Sequence, residues 1–164
     1  MGATSFITKM TGADPAHAFR NAVDQALFMN GHGGYTGTIA EKPSFVMCPI
    51  PSTPQFRLWL KDGIELESAL ATVGPQDMER GDAGQTRDEL VKFVLEYDAG
   101  VEGWVNPEDK WLRRPYKAMS DLLRMATPEQ VLRSFSVWDE KWGPALCIPT
   151  AVPNEYMFMG YASC

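Results

Sequence analysis

The sequence predicts a single α+β domain over residues 1–164, with a mostly antiparallel sheet covered by helices. Short apolar or alternating stretches occur near both ends of the chain and again before residue 60, and such stretches are typical of strands. Amphipathic stretches that begin with capping residues lie between them and predict helices. The 12 prolines and 14 glycines favour many short elements over a long helical bundle.

The chain opens with a predicted strand and a predicted helix. Residues 4–10 alternate loosely between polar and apolar side chains, which predicts a strand that ends at Gly12. Asp14 and Pro15 match a capping carboxylate followed by proline at the first helical position. The apolar residues of the helix share one face: Phe19, Ala22, Val23, Ala26 and Leu27. A strand–helix–strand opening hints at a ferredoxin-like arrangement.

Residues 31–42, called the glycine segment below, follow this helix. We predict a glycine loop and then a strand over residues 36–40, which turns back into a second strand over residues 45–48. Residues 55–60 alternate again and predict a strand, with Asp62-Gly63 as a hairpin turn after it. The residues beyond that turn, up to Val73, fit either the return strand or a helix.

The second half of the chain is predicted to be mainly helical before it ends in strands. Residues 74–85 are polar and rich in glycine, and they predict a mobile loop. The capping box of Thr86 and Glu89 starts a predicted helix, and Thr127 caps another. Shorter helices are predicted around residues 106–112 and 116–123, and a final hairpin joins residues 145–149 to residues 156–161.

Charge and cysteine usage exclude several classes of protein. The formal net charge is −6, so an extended cationic surface for nucleic acid is not expected. The three cysteines lie far apart, form no CxxC pair and fit a reducing compartment. We expect no cofactor and no metal, since two histidines and scattered cysteines do not make a zinc site. Asp77, Glu79 and Asp82 do not match a calcium loop and are interpreted as a solvated charged loop, with a carboxylate-bound Mg²⁺ as the alternative. We also expect no signal peptide, and the sequence has no apolar stretch long enough to span a membrane.

The glycine segment is the most unusual stretch and the main candidate for a ligand site. Glycines let a backbone approach a ligand closely or present N–H groups to an anion. Phosphate loops, however, precede a helix, whereas these glycines follow one, so the positive end of a helix dipole does not face them. The candidate ligand-binding residues are His32, Gly33, Gly34, Tyr35, Thr36, Thr38 and Lys42, with Trp142 as an aromatic contact. The alternative is a helix exit followed by a bulged strand entry.

A cysteine and a histidine are the candidate catalytic residues. If residues 36–40 pair with residues 45–48 as a hairpin, Gly37 lies opposite Cys48, and His32 lies near that end. A Cys–His nucleophile pair is then conceivable. The alternative is that Cys48 is a buried structural cysteine. For Trp142 the corresponding alternative is a core side chain followed by a turn at Gly143-Pro144.

Three stretches of the chain resemble a group of small accessory proteins encoded by tailed bacteriophages. The resemblance rests on the glycine segment, the amphipathic helix before it, and the ending that runs from Trp142-Gly143-Pro144 to Gly160-Tyr161-Ala162-Ser163. It brings no catalytic residue with it. It implies a viral protein that acts in the host cytoplasm, where such proteins often counter host defence or redirect host machinery.

These observations lead to a function hypothesis and two alternatives. The first is a non-enzymatic binding or inhibitor protein that acts on a host protein or on a nucleotide-like ligand. Its basis is the glycine segment, the acidic charge and the lack of a complete catalytic constellation. The alternatives are a small enzyme that uses Cys48 or His32 on a nucleotide or peptide, and a structural component of the virion.

Overall fold

The computed structural model of the chain describes residues 2–73 and 110–164. Within these residues the strands are β1 (Ala3–Thr11), β2 (Phe45–Met47), β3 (Ala145–Pro149) and β4 (Glu155–Ser163). The helices are α1 (Pro15–Asn30), α2 (Pro54–Leu60), α3 (Ile64–Ala71), α4 (Lys110–Leu123) and α5 (Pro128–Trp138), and a 3-10 turn spans Ile39–Glu41. The predicted α+β class is confirmed.

The four strands form one mixed sheet in the order β1-β4-β3-β2. The β1–β4 and β3–β4 pairs are antiparallel, and the β2–β3 pair is parallel. The sheet is therefore mostly antiparallel, as predicted. The ferredoxin-like arrangement is not confirmed, because β1 and β2 lie at opposite edges of the sheet and β2 runs parallel to its neighbour.

Helices pack against both faces of the sheet. Successive strand residues point to opposite faces, so Cys147 packs on the side of α1 whereas Leu146 and Ile148 join the core formed with α2 to α5. The same alternation along β4 separates Phe158 from its neighbours Met157 and Met159. Both faces of the central strands are therefore buried, which accounts for the nearly continuous apolar sequence at the end of the chain.

Helix α1 follows the predicted capping pattern. The Asp14 carboxylate accepts a hydrogen bond from the His17 N–H at 2.7 Å, and Pro15 occupies the first turn. The small residues Ala18 and Ala22 are buried, so the helix backbone lies close to the sheet. The exposed His17 is kept at the helix start by accepting a hydrogen bond from the Ala13 N–H at its Nδ1.

The predicted strand over residues 36–40 is wrong. The Thr38 side chain accepts a hydrogen bond from the Ala40 N–H and caps the 3-10 turn Ile39–Glu41. This local bond takes the backbone away from an extended conformation. Strand β2 is present but pairs with β3, in the register Met47 to Cys147, and not with the segment that precedes it.

The predicted strand over residues 55–60 is also wrong. The Thr53 hydroxyl accepts a hydrogen bond from the Phe56 N–H, and Pro54 starts helix α2. Phe56 and Leu60 are four residues apart, so they satisfy the helical period as well as the alternation read as a strand. Gly63, in a left-handed conformation, then joins α2 to α3, so the helical alternative for the residues after the turn is confirmed.

The end of the chain follows the predictions more closely. Helix α5 has a complete capping box, in which the Thr127 and Gln130 side chains each bond the backbone N–H of the other residue. The final hairpin of β3 and β4 is confirmed. Where two short helices were predicted, α4 is one helix over Lys110–Leu123. The predicted loop over residues 74–85 and the helix begun by Thr86 lie outside the described residues.

Candidate functional site

The first half of the glycine segment, residues 31–35, extends into solvent and is called the outer half below. The Gly31 N–H bonds the Leu27 carbonyl at 2.8 Å and ends α1 with a φ of 82°. Gly34 and Tyr35 also have positive φ, at 72° and 56°. The side chains of His32 and Tyr35 are exposed, so these two predicted site residues are accessible to a ligand.

The second half, residues 36–42, is called the anchored half because its side chains bond within the protein. The Thr36 N–H and hydroxyl both donate to the Glu41 carboxylate, at 3.1 and 2.9 Å. The Thr36 hydroxyl also lies 2.8 Å from the Thr38 hydroxyl. Burial by itself raises the pKa of Glu41, but hydrogen bonds from Thr36 and from the Tyr35 N–H outweigh it and hold that pKa below its ordinary value.

Gly37 attaches the anchored half to the end of β4 and the start of β1. Its N–H donates to the Ser163 carbonyl at 2.8 Å, and its φ is 69°. A Cβ atom at this position would lie 2.5 Å from the Thr4 Cγ2 atom. Glycine is required here for its conformation and for its lack of a side chain, and a ligand is not needed to explain it.

Lys42 turns inward and holds a distant loop. Only 4% of the residue is exposed, and its Nζ donates to the Glu140 carbonyl at 2.7 Å and to the Lys141 carbonyl at 3.3 Å. Burial lowers the pKa of Lys42, and the charge of Glu140 acts in the opposite direction. Of the predicted ligand contacts within the glycine segment, Lys42 and the two threonines thus make internal bonds, and the exposed ones lie in the outer half.

The geometry proposed for a Cys–His pair does not form. The hairpin that placed Gly37 opposite Cys48 is absent, since β2 pairs with β3. Cys48 is half-buried, and its Sγ lies 3.5 Å from the Ser134 hydroxyl. Burial raises the pKa of the Cys48 thiol despite hydrogen bonds that lower it, so the thiol stays protonated and is a poor nucleophile at neutral pH.

The two tryptophans of the 138–142 stretch have opposite environments. Trp138 is 2% exposed and packs edge-on against Tyr161, with ring centroids 4.7 Å apart. Trp142 is 56% exposed, with the Lys141 ammonium 4.9 Å from its ring centroid. The core tryptophan is therefore Trp138 rather than Trp142, and Trp142 is available for an aromatic contact. The bond from Lys42 to the Lys141 carbonyl links the glycine segment to the loop that carries Trp142.

The most exposed apolar residues of the site were not predicted. Phe28 and Met29, in the last turn of α1, are 91% and 72% exposed, and Tyr35 in the outer half is 53% exposed. The exposure of Phe28 was readable in the sequence, because this residue falls opposite the apolar face that ends at Leu27. Met29 lies three residues after Ala26, at the edge of that face, so the helical period alone did not indicate its exposure. We call Phe28, Met29, His32 and Tyr35 together the α1 tip surface.

A second feature not indicated by the sequence is a cavity at the turn between β3 and β4. It has a volume of about 370 Å³ and is lined by Arg57 and residues 149–156. The Arg57 Nε donates to the Ser52 hydroxyl at 2.9 Å, which positions the guanidinium on α2. None of the predicted site residues lines this cavity.

Three further observations bear on function. Across residues 2–73 and 110–164, no helix has the length and apolar character needed to cross a membrane. The same part of the chain contains no group of three or more His, Cys, Asp or Glu residues arranged to hold a metal ion. The chain matches no protein-family model, no curated protein and no solved structure.

Proposed function

We propose that the protein is a non-enzymatic binding module that inhibits or redirects a host protein through the α1 tip surface. Following the resemblance to phage accessory proteins, we place this action in the host cytoplasm, with countering of host defence as its purpose. The observation that carries the proposal is the exposed apolar pair Phe28 and Met29, which continues into the solvent-exposed outer half of the glycine segment.

The energetics of these side chains support a protein partner. Covering a large apolar side chain contributes about 1.5–3 kcal/mol, and Phe28 and Met29 gain little of this within the fold because they are 91% and 72% exposed. Adjacent apolar anchors with an aromatic neighbour are typical of interface hot spots. A Cβ atom at Gly33 or Gly34 would meet nothing within 4 Å, so neighbouring residues do not constrain the outer half. Because glycine permits many backbone conformations, this stretch can adapt to a partner.

The charge of the site favours a basic partner over a nucleotide. The tip surface lies at the carboxyl end of α1, which carries the negative pole of the helix dipole. The whole chain has a formal net charge of −6. The helix dipole and the net negative charge both repel phosphate, and both attract a protein surface with lysine or arginine around an apolar pocket.

The test is site-directed photo-crosslinking in a bacterial host, with a photoreactive residue at Met29 or Tyr35. A matched control carries it at Leu58, which is 68% exposed but belongs to α2. We expect one host protein to be captured from both tip positions and not from Leu58. With the purified pair, Phe28→Ser combined with Met29→Ser should weaken binding about 100-fold, as expected for two hot-spot residues, while Leu58→Ser changes it little.

Several results would contradict this function. The proposal fails if no host protein crosslinks at the tip, or if the double variant binds the captured protein as tightly as the natural chain. Thermal stabilisation of the protein by nucleotides would indicate that its ligand is a small molecule and not a host protein. Loss of biological effect in a folded Cys48→Ala variant, which leaves the α1 tip surface unchanged, would favour catalysis, and detection of the chain in purified particles would favour a virion component.

A further inference from the structure

The two edge strands of the sheet differ in length and in how well they are protected from pairing. Strand β2 has three residues and is bounded by Pro43 and Pro49, which prevent its extension. Strand β1 has nine residues, contains no proline or glycine, and pairs along its whole length with β4 on one side. Its one charged side chain is Lys9. Such an edge is a template for a further strand.

The outer side of β1 offers backbone groups for pairing. In an antiparallel pair, alternate residues direct their N–H and C=O groups away from the neighbouring strand. Within the described ranges, the one hydrogen bond from outside the sheet to the β1 backbone runs from the Asn21 amide to the carbonyl of Thr11 at the strand's end. Ala3 and Thr4 at one end and Lys9 and Thr11 at the other are exposed, so both ends of this edge are open to solvent.

We propose that β1 is a dimerisation edge, which pairs antiparallel with β1 of a second copy of this chain about a twofold axis at Ile7. Ile7 is the middle residue of Ala3–Thr11, so this register is the one that pairs all nine residues. The two sheets then become one continuous sheet. A shift of the axis toward either end of β1 leaves residues unpaired, and an axis at Lys9 would set two like charges opposite each other.

The charges beside β1 favour this register. With the axis at Ile7, Lys9 of one copy lies opposite Ser5 of the other, and both side chains are on the same sheet face because they are four residues apart. The Ser5 hydroxyl donates to the Glu67 carboxylate at 3.2 Å. Lys9, which is exposed, therefore reaches a carboxylate of the second copy, and symmetry forms this ion pair twice.

Sedimentation velocity of the full chain over a concentration series tests the dimer, and charge reversal tests its register. We expect a reversible monomer–dimer equilibrium. Lys9→Glu and Glu67→Lys should each weaken the dimer about tenfold, because two attractive cross-strand pairs become repulsive. The double variant Lys9→Glu, Glu67→Lys should regain most of the affinity. Arg133→Glu, an exposed change of the same charge on α5, should leave the equilibrium unchanged.

A crosslinking experiment checks the register independently of affinity. In a Cys164→Ser background, which removes the exposed natural thiol, a mixture of Ser5→Cys and Lys9→Cys chains should form a disulfide between copies, while neither variant does so alone. The proposal is overturned by a monomer at all concentrations, by a dimer insensitive to both single charge reversals, or by crosslinking of either variant with itself. Host-protein capture at the α1 tip does not depend on these outcomes.

Discussion

The two halves of the glycine segment differ in what determines their conformation. In the outer half, residues 31–35, side chains face solvent and a Cβ at Gly33 would meet nothing within 4 Å. In the anchored half, residues 36–42, a Cβ at Gly37 would collide with Thr4, and Lys42 is buried. The fold therefore leaves residues 31–35 largely unconstrained, whereas it determines the conformation of residues 36–42.

This difference shows that glycines in one short stretch can be present for different structural reasons. Gly33 has an ordinary φ and free space around it, so the fold does not require glycine there. Gly37 is required twice, by its φ of 69° and by the contact with Thr4. A function carried by the segment should therefore be sought in the outer half, and stability in the anchored half.

The largest expected effect comes from Gly37→Ala. The left-handed conformation costs a side chain about 1–2 kcal/mol, and the new Cβ would lie 2.5 Å from the Thr4 Cγ2 atom. We expect a loss of about 2–4 kcal/mol in the free energy of unfolding, measured by urea denaturation. Gly33→Ala is the matched control and should stay within about 0.5 kcal/mol of the natural chain.

A double variant separates the two causes at Gly37. Thr4→Ser removes the Cγ2 atom that the new Cβ would meet, and keeps the hydroxyl. Gly37→Ala should cost about 1 kcal/mol less in that background, with the conformational part remaining. Equal losses in the free energy of unfolding for Gly37→Ala and Gly33→Ala would mean that the fold constrains both halves to the same extent. The proposed difference between the halves would then be wrong.

A smaller effect is expected when the buried ammonium of Lys42 is removed. Lys42→Met keeps the aliphatic stem but leaves the Glu140 and Lys141 carbonyls without their donor. Relief of the cost of burying a charge offsets part of this loss, so we expect about 1–2 kcal/mol of destabilisation. Hydrogen exchange should increase around residues 139–143 and stay unchanged at residues 31–35. Faster exchange in the outer half instead would show that the two halves are coupled.

Local signals predicted the parts of the fold that local bonds determine. The Asp14 and Thr127 caps, the first strand and the final hairpin all follow from residues within a few positions of one another. The mistaken strand over residues 55–60 has a physical cause, because Phe56 and Leu60 fit both periodicities and the Thr53 cap decides between them. The pairing of β2 with β3 joins residues about a hundred positions apart and left no local trace.

The candidate site was predictable to a similar extent. The exposure of His32 and Tyr35 follows from a glycine-rich helix exit, which local sequence indicates. The inward turn of Lys42 depends on carbonyls 98 and 99 residues away, so no local pattern could reveal it. The exposure of Phe28 could be predicted from the helical period, whereas the exposure of Met29 and the exchange of roles between Trp138 and Trp142 depend on tertiary packing.

The smallest expected effect concerns Glu41 and depends on pH. The pKa of Glu41 is lower in the folded chain than its ordinary value of 4.5, because hydrogen bonds from Thr36 and Tyr35 outweigh burial. A carboxylate with a lowered folded pKa stabilises the protein above its unfolded pKa, and this contribution is lost as the pH falls through the folded pKa. Glu41→Gln should therefore be less stable than the natural chain at pH 7, by less than Lys42→Met, with the difference narrowing below about pH 4.5.

Urea denaturation of both chains between pH 7 and pH 3 measures this difference, and Asp24→Asn on the solvent side of α1 controls for the loss of one negative charge. The control should change the free energy of unfolding at pH 7 by less than about 0.5 kcal/mol, because Asp24 is exposed. A Glu41→Gln difference that stays constant across the series would mean that the Thr36 bonds do not favour the carboxylate. The anchored half would then depend on Gly37 and Lys42 alone, and the acid-sensitive contribution assigned to it would be absent.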